Sequence, residues 1–215
     1  MKFSTLVLDF DGTLGDSRRL ITSTMRETFA AMNLPERSEA ECASTIGLPL
    51  AKGFYQLLGD ENLARECAAL YTNELFPKNN KPGSVPPFPH VVSTLRELHQ
   101  EGLALTVASS RRSPSLMQLL TEMKVKELFS LIVSVLDVEN AKPAPDMVLK
   151  ILKDTSSEPA RTLVVGDTSF DIEMGRTAGC HTCGVTYGNG TVPELQAAGA
   201  DYLIDDFRDL LKLCR

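Results

Sequence analysis

Two carboxylates, Asp9 and Asp11, stand directly behind the apolar run Leu6-Val7-Leu8 and are followed by Gly12 and Thr13. A strand interior accepts no unpaired acid, so the run is expected to deliver both to its C-terminal end, where the chain turns sharply. Further polar groups follow other apolar runs: Ser109 and Ser110 after Leu103–Ala108, Lys142 in Ala141-Lys142-Pro143, and Asp167 and Asp171 after Thr162–Val165. Taken singly, a serine behind a strand is a helix cap and a lysine before proline is a solvated charge. Taken together, they offer three to four acids, a cation and hydroxyls to one crevice. Two like charges ~4 Å apart repel by about 4 kcal/mol at an effective dielectric of ~20, so such acids converge only around a cation. Mg²⁺ suits them, because it takes oxygen ligands, tolerates few protein carboxylates and keeps positions open for water or substrate oxygens. Phosphoryl transfer is the chemistry this set fits, since it needs positioning and neutralisation of spread negative charge.

Positioning them requires strands that end side by side. After residue 82 helical and strand patterns alternate. Helices are expected at His90–Gln100, Pro114–Met123, Asp146–Lys153, Ile172–Thr177, Val192–Ala198 and Phe207–Leu213. Strands are expected at Leu103–Ala108, Leu131–Val135, Thr162–Val165, His181–Val185 and Tyr202–Ile204. This is the α/β pattern of a Rossmann-like parallel sheet with helices on both faces and right-handed crossovers. Ligands in such sheets sit beyond the strands' carboxyl ends. Residues from about 17 to 80 are different, with apolar spacing of three and four from Leu20 to Met32, a capping box at Ser38-x-x-Glu41, and helical runs over Leu50–Leu58 and Asn62–Phe76. Ser17 is placed to cap the first of these helices. The turn-rich stretch from Lys78 to Pro89 returns the chain. The expected division is a core of residues 1–16 and 82–215 with an inserted all-helical cap over 17–81, placed as a lid above the strand ends.

Composition narrows the partners. A formal charge of −6 at pH 7 and the lack of a basic cluster argue against nucleic acid. No stretch reaches the ~18 apolar residues of a membrane helix, and Asp9 and Asp11 interrupt the N-terminal apolar run before a signal peptide would be complete; a soluble cytoplasmic protein is expected. Five scattered cysteines, Cys42, Cys67, Cys180, Cys183 and Cys214, suit reduced thiols. Cys180-His181-Thr182-Cys183 lacks a second ligand pair and overlaps a strand-like run, so packing is its expected role. The oligomeric state is left open.

The string Asp9-Phe10-Asp11-Gly12-Thr13-Leu14-Gly15-Asp16-Ser17 resembles the first motif of the haloacid dehalogenase superfamily, and Ser109, Lys142 and Gly166-Asp167 follow in that superfamily's order, with a helical insertion at its usual place. The nearest resemblance is to the phosphoglycolate-phosphatase-like members. It implies Asp9 as nucleophile and Asp11 as general acid and base. Ser109 and Lys142 complete the catalytic set, and Asp11, Gly12, Ser109, Ser110 and Lys142 bind the phosphate of a small phosphorylated substrate. Mg²⁺ would be held by Asp9, the Asp11 carbonyl and Asp167, with Asp171 behind them. Dehalogenases lack the second acid, so Asp11 speaks against carbon–halogen hydrolysis. The family's sugar-phosphate mutases usually carry Glu where Gly166 stands and a cap histidine near Ile21. A catalytically silent interaction protein of the same fold should have lost one of Asp9, Asp11, Lys142 or Asp167, and none is lost. The cap candidates for leaving-group recognition are Arg18, Arg19, Lys52 and the loop Gly47-Leu48-Pro49.

Overall fold

The computed structural model describes residues 2–215. Six parallel strands form one sheet in the order β3-β2-β1-β4-β5-β6: β1 Thr5–Leu8, β2 Ala104–Ser109, β3 Phe129–Ser134, β4 Thr162–Gly166, β5 His181–Val185 and β6 Tyr202–Ile204. Strand β1 lies at the centre, with Leu8 level with Val107 of β2 and Val165 of β4. The chain runs from β1 to β2 and β3 on one side, then crosses back to β4, β5 and β6 on the other, and this reversal opens the crevice at the carboxyl end of β1.

Period-two alternation sorts the strand residues between two cores. Leu6, Leu8, Leu105, Val107, Leu163, Val165, Cys183 and Val185 face one side. There they meet α6 (Val91–Gln100), α7 (Ser113–Glu122) and α11 (Leu210–Cys214), through residues such as Leu95, Leu98, Leu120 and Leu210. Val7, Ala108, Val133 and Val164 face the other, against Met147, Val148 and Ile151 of α8 (Asp146–Thr155) and Met174 of α9 (Ser169–Thr177). A short α10 (Val192–Ala197) joins β5 to β6. All five cysteines are free and buried; Cys180 and Cys183 belong to opposite cores, as packing side chains would.

Between β1 and α6 lie only helices among the described residues: α1 (Arg18–Ala31), α2 (Glu39–Ala43), α3 (Leu50–Leu58), α4 (Glu61–Leu70) and, after a π turn over Tyr71–Leu75, α5 (Phe76–Asn79). The expected single helix over Asn62–Phe76 is thus interrupted by that turn. The capping box is present, with the Glu41 N–H donating to Ser38 Oγ at 3.2 Å and the Ser38 N–H to Glu41 Oε2 at 2.7 Å. Ser17 departs from expectation. It precedes α1 but makes no side-chain cap, and its buried Oγ has no partner among the described residues. Apolar side chains of this block, Met25, Phe29, Phe54, Tyr71 and Phe76, run on from the first core without a break. The connectors entering and leaving it are themselves paired. Gly15 and Pro87 form an antiparallel bridge, the Asp16 N–H donates to the Pro86 carbonyl at 2.9 Å, and the Phe88 N–H to the Leu14 carbonyl at 3.0 Å.

Candidate active site

Asp9 follows β1 directly, and its N–H still donates to Val165 O of β4 at 2.9 Å, so the ladder fixes where its carboxylate points. The Lys142 ammonium, 1 % exposed, donates to Asp9 Oδ1 at 2.5 Å and to Asp171 Oδ1 at 2.6 Å. Asp9 Oδ2 meets no hydrogen-bond donor among the described residues. Lys142 does not close a strand as expected. It sits well beyond β3, in the loop ahead of α8, and reaches the site because its chain is buried throughout.

Asp167 follows β4 and is fully buried. Its Oδ2 accepts from the Asn189 N–H at 2.6 Å and from Asn189 Nδ2 at 2.9 Å, and its Oδ1 from the Thr13 hydroxyl at 3.3 Å. Asp171 has both oxygens committed: Oδ1 to Lys142 and Oδ2 to the Thr168 N–H and hydroxyl, which caps α9. The carboxylates of Asp9, Asp167 and Asp171 offer oxygens within 4.8 Å of one another. Three buried acids against one buried ammonium leave negative charge uncompensated. Burial pushes the Asp9 carboxyl well above the usual carboxylate range despite Lys142, with Asp171 and Asp167 adding to the rise. Burial and the neighbouring Asp171 push Asp167 up to about 7. A hard divalent cation fits this donor set, with a free carboxylate oxygen on Asp9 and a lightly held one on Asp167.

Asp11 takes a partner that the motif does not announce. Arg111 grips it with both arms, Nε to Oδ2 at 3.1 Å and Nη2 to Oδ1 at 2.5 Å, and donates Nη1 to the Ser115 hydroxyl at 2.9 Å. The guanidinium lies over the rings of Phe10 and Phe76, 5.7 and 5.2 Å from their centroids. Ser109 is buried and accepts the Arg111 N–H on its Oγ at 3.2 Å. Ser110 donates its hydroxyl across to the Gly47 carbonyl of the helical block at 2.7 Å. Neither serine begins a helix, because α7 starts at Ser113 with Arg112 as the residue before it. The Gly12 N–H is taken by the Gly15 carbonyl at 3.0 Å.

Arg111 and Asn189 are thus the residues that sequence reasoning passed over. Arg111 stands two places after a strand-end serine, and Asn189 lies in Tyr187-Gly188-Asn189-Gly190 behind β5; both are marked only by their position beyond a strand's carboxyl end. The loop after β5 has to come very close. A Cβ on Gly188 would lie 2.3 Å from Asp167 Cβ and 2.5 Å from the Gly12 carbonyl oxygen. Asp9 and Asp11 lie on the wall of a cavity of about 880 Å³ between the core loops and the helical block. Gly47 and Leu48 line it, whereas Arg18, Arg19 and Lys52 do not; Arg18 faces Glu39 instead, at 3.7 Å.

The family profile described as haloacid dehalogenase-like hydrolase matches residues 6–185. The chain belongs to the haloacid dehalogenase-like hydrolases. It is 32 % identical over 213 residues to "Probable phosphatase IndB" of Dickeya dadantii, covering 96 % of this chain and 91 % of that one. It is 29 % identical to the phosphoglycolate phosphatase of Salmonella typhi, over 96 % and 90 % of the two chains. A haloacid dehalogenase-like hydrolase from Bacteroides fragilis superposes with a TM-score of 0.88 at 25 % identity, over 97 % and 100 % of the chains. The six-stranded parallel sheet with its covering helices is therefore the haloacid dehalogenase-like fold.

Proposed function

We propose that this hydrolase is a Mg²⁺-dependent phosphatase that releases phosphate from a small phosphomonoester by way of an aspartyl-phosphate on Asp9. The observation that carries the reading is the state of Asp9: one oxygen pinned by Lys142, the other free, beside Asp167 and on the cavity wall. Asp9 and Asp167, with the Asp11 carbonyl, would hold the ion. When bound, it supplies neutralisation of the charge on the transferring group.

The chain's own groups divide the remaining work. Lys142 keeps Asp9 oriented and adds a positive charge beside the phosphoryl oxygens. The free Asp9 oxygen forms the bond to phosphorus as the ester bond breaks. Asp11, released from the two-armed grip of Arg111, gives the departing alkoxide its proton, then takes one from the water that displaces the phosphoryl group from Asp9. The Ser109 hydroxyl, which accepts from Arg111, still has its own proton to donate to a phosphate oxygen. Residues 17–81 act as a cap domain over the core of 1–16 and 82–215. Gly166 speaks for hydrolysis over the phosphoryl transfer of the mutases. Its Cβ position is filled by Asp171, 2.2 Å away, which leaves no place for the glutamate usual in the mutases.

Asp9→Asn is expected to abolish turnover of p-nitrophenyl phosphate while the circular dichroism spectrum stays that of the wild type. Exhaustive chelation should do the same to the unaltered enzyme, reversed by Mg²⁺. Full activity in either case would defeat the reading.

A further inference from the structure

The side of the cavity supplied by residues 17–81 carries no charge. Its wall is built from Ile21, Met25, Ile46, Leu48, Tyr71 and Phe76, with only neutral polar groups such as Thr45 and Asn73 among them. The cations of the lining are Arg111 and Arg112, both from the core. Arg111 is committed to Asp11 and Ser115 and packed over two rings, and Arg112 is exposed. At about 880 Å³ the cavity lies in the upper part of the ~300–1,000 Å³ range of sites that enclose drug-sized ligands. A two-carbon leaving group ending in a carboxylate would find no cation on the wall supplied by residues 17–81 and, on the core side, only the exposed Arg112 uncommitted, where solvent screens such a pair to about 0–1 kcal/mol.

We propose that the alcohol released by this enzyme is bulky, uncharged and mostly apolar, so that the substrate is the phosphate monoester of a hydrophobic alcohol rather than a small dianion. The inference rests on the phosphatase reading above and concerns only what lies beyond the ester oxygen. Ile21, Met25 and Leu48 contact the alcohol, and the ester phosphate is held from below by the core.

Steady-state kinetics with Mg²⁺ on ethyl, butyl, hexyl and octyl phosphate, with phosphoglycolate and pyrophosphate alongside, test it. The alkyl esters and phosphoglycolate all release primary alcohols, so intrinsic reactivity does not decide the comparison. kcat/KM is expected to rise about fourfold per methylene until the cavity is filled, and hexyl phosphate to exceed phosphoglycolate and pyrophosphate by more than about tenfold. Leu48→Arg, in a half-buried loop position, should lower kcat/KM for hexyl phosphate and raise it for phosphoglycolate. A flat alkyl series, a preference for phosphoglycolate or pyrophosphate, or an unchanged ratio in Leu48→Arg overturns the inference and leaves the phosphatase reading standing. Failure to hydrolyse any ester, p-nitrophenyl phosphate included, overturns both.

Discussion

Asp167 is held in its buried place by Asn189, whose backbone and side-chain N–H groups both meet one carboxylate oxygen. Partners of this kind orient a ligand, and losing one typically costs about 10–100-fold in metal affinity. Asn189→Ala should therefore raise the Mg²⁺ concentration needed for half-maximal activity by that factor, while kcat at saturating Mg²⁺ changes less. Titration of Asp9 and Asp167 has a consequence for stability. Both carboxyls sit above their unfolded range near 4, Asp167 at about 7. Between those values the folded, metal-free chain binds more protons than the unfolded one, so these two groups make stability fall as pH rises from about 4 through 7. Bound cation removes the penalty. The gap in Tm between Mg²⁺-loaded and chelated protein should widen steadily from pH 5 to pH 8, and a constant gap would contradict the assignment. By the same logic Asp9→Asn, which lowers the net negative charge of three buried acids around one ammonium while Lys142 keeps Asp171 as a partner, should melt no lower than the chelated wild type at pH 7.5.

At the level of elements, the strand ends explain why so much could be read in advance. Asp9 and Asp167 each follow an unbroken apolar run, and such runs declare a buried parallel strand together with the point where it stops. Helices α1, α3 and α6 show equally plain three- and four-residue spacing. Lys142 was legible as a residue but not as a place, since its position is set by a loop and by burial of its whole side chain. Arg111 and Asn189 had no periodic signal at all. Their roles arise from contacts between segments about 100 and 22 residues apart in the chain, which no local pattern encodes. Ser17 erred the other way: a cap-forming residue at a helix start was buried by tertiary packing instead. The loop after β5 offers a direct test. Gly188→Ala would drive a methyl into Asp167 and the Gly12 backbone, with about 1–3 kcal/mol of strain to relieve. A Tm several degrees lower and at least about a tenfold loss in kcat are expected, because misplacing the site by ~1 Å can cost about 100-fold.

On the scale of the whole molecule, the helical block makes one hydrogen bond to the strand-end loops among the described residues, the Ser110 hydroxyl on the Gly47 carbonyl, beside the Arg111 guanidinium over the Phe76 ring. One such bond contributes about 1 kcal/mol. Ser110→Ala should accordingly speed amide exchange in the segment around Ile46–Leu50 about fivefold, with the β-sheet amides unaffected. Equal protection in both proteins would show that apolar packing alone holds the block down. The paired connectors constrain what happens once that bond opens. Because Asp16 is hydrogen bonded to Pro86 and Leu14 to Phe88, the outgoing and returning segments must bend as one two-ply ribbon. A ribbon flexes across its flat face and resists shear along its edge. Any movement of the block is therefore expected to be a tipping, like a door on its post, rather than a sideways slide, which would bring Leu48 and Met25 back to the cavity wall they share with Asp9.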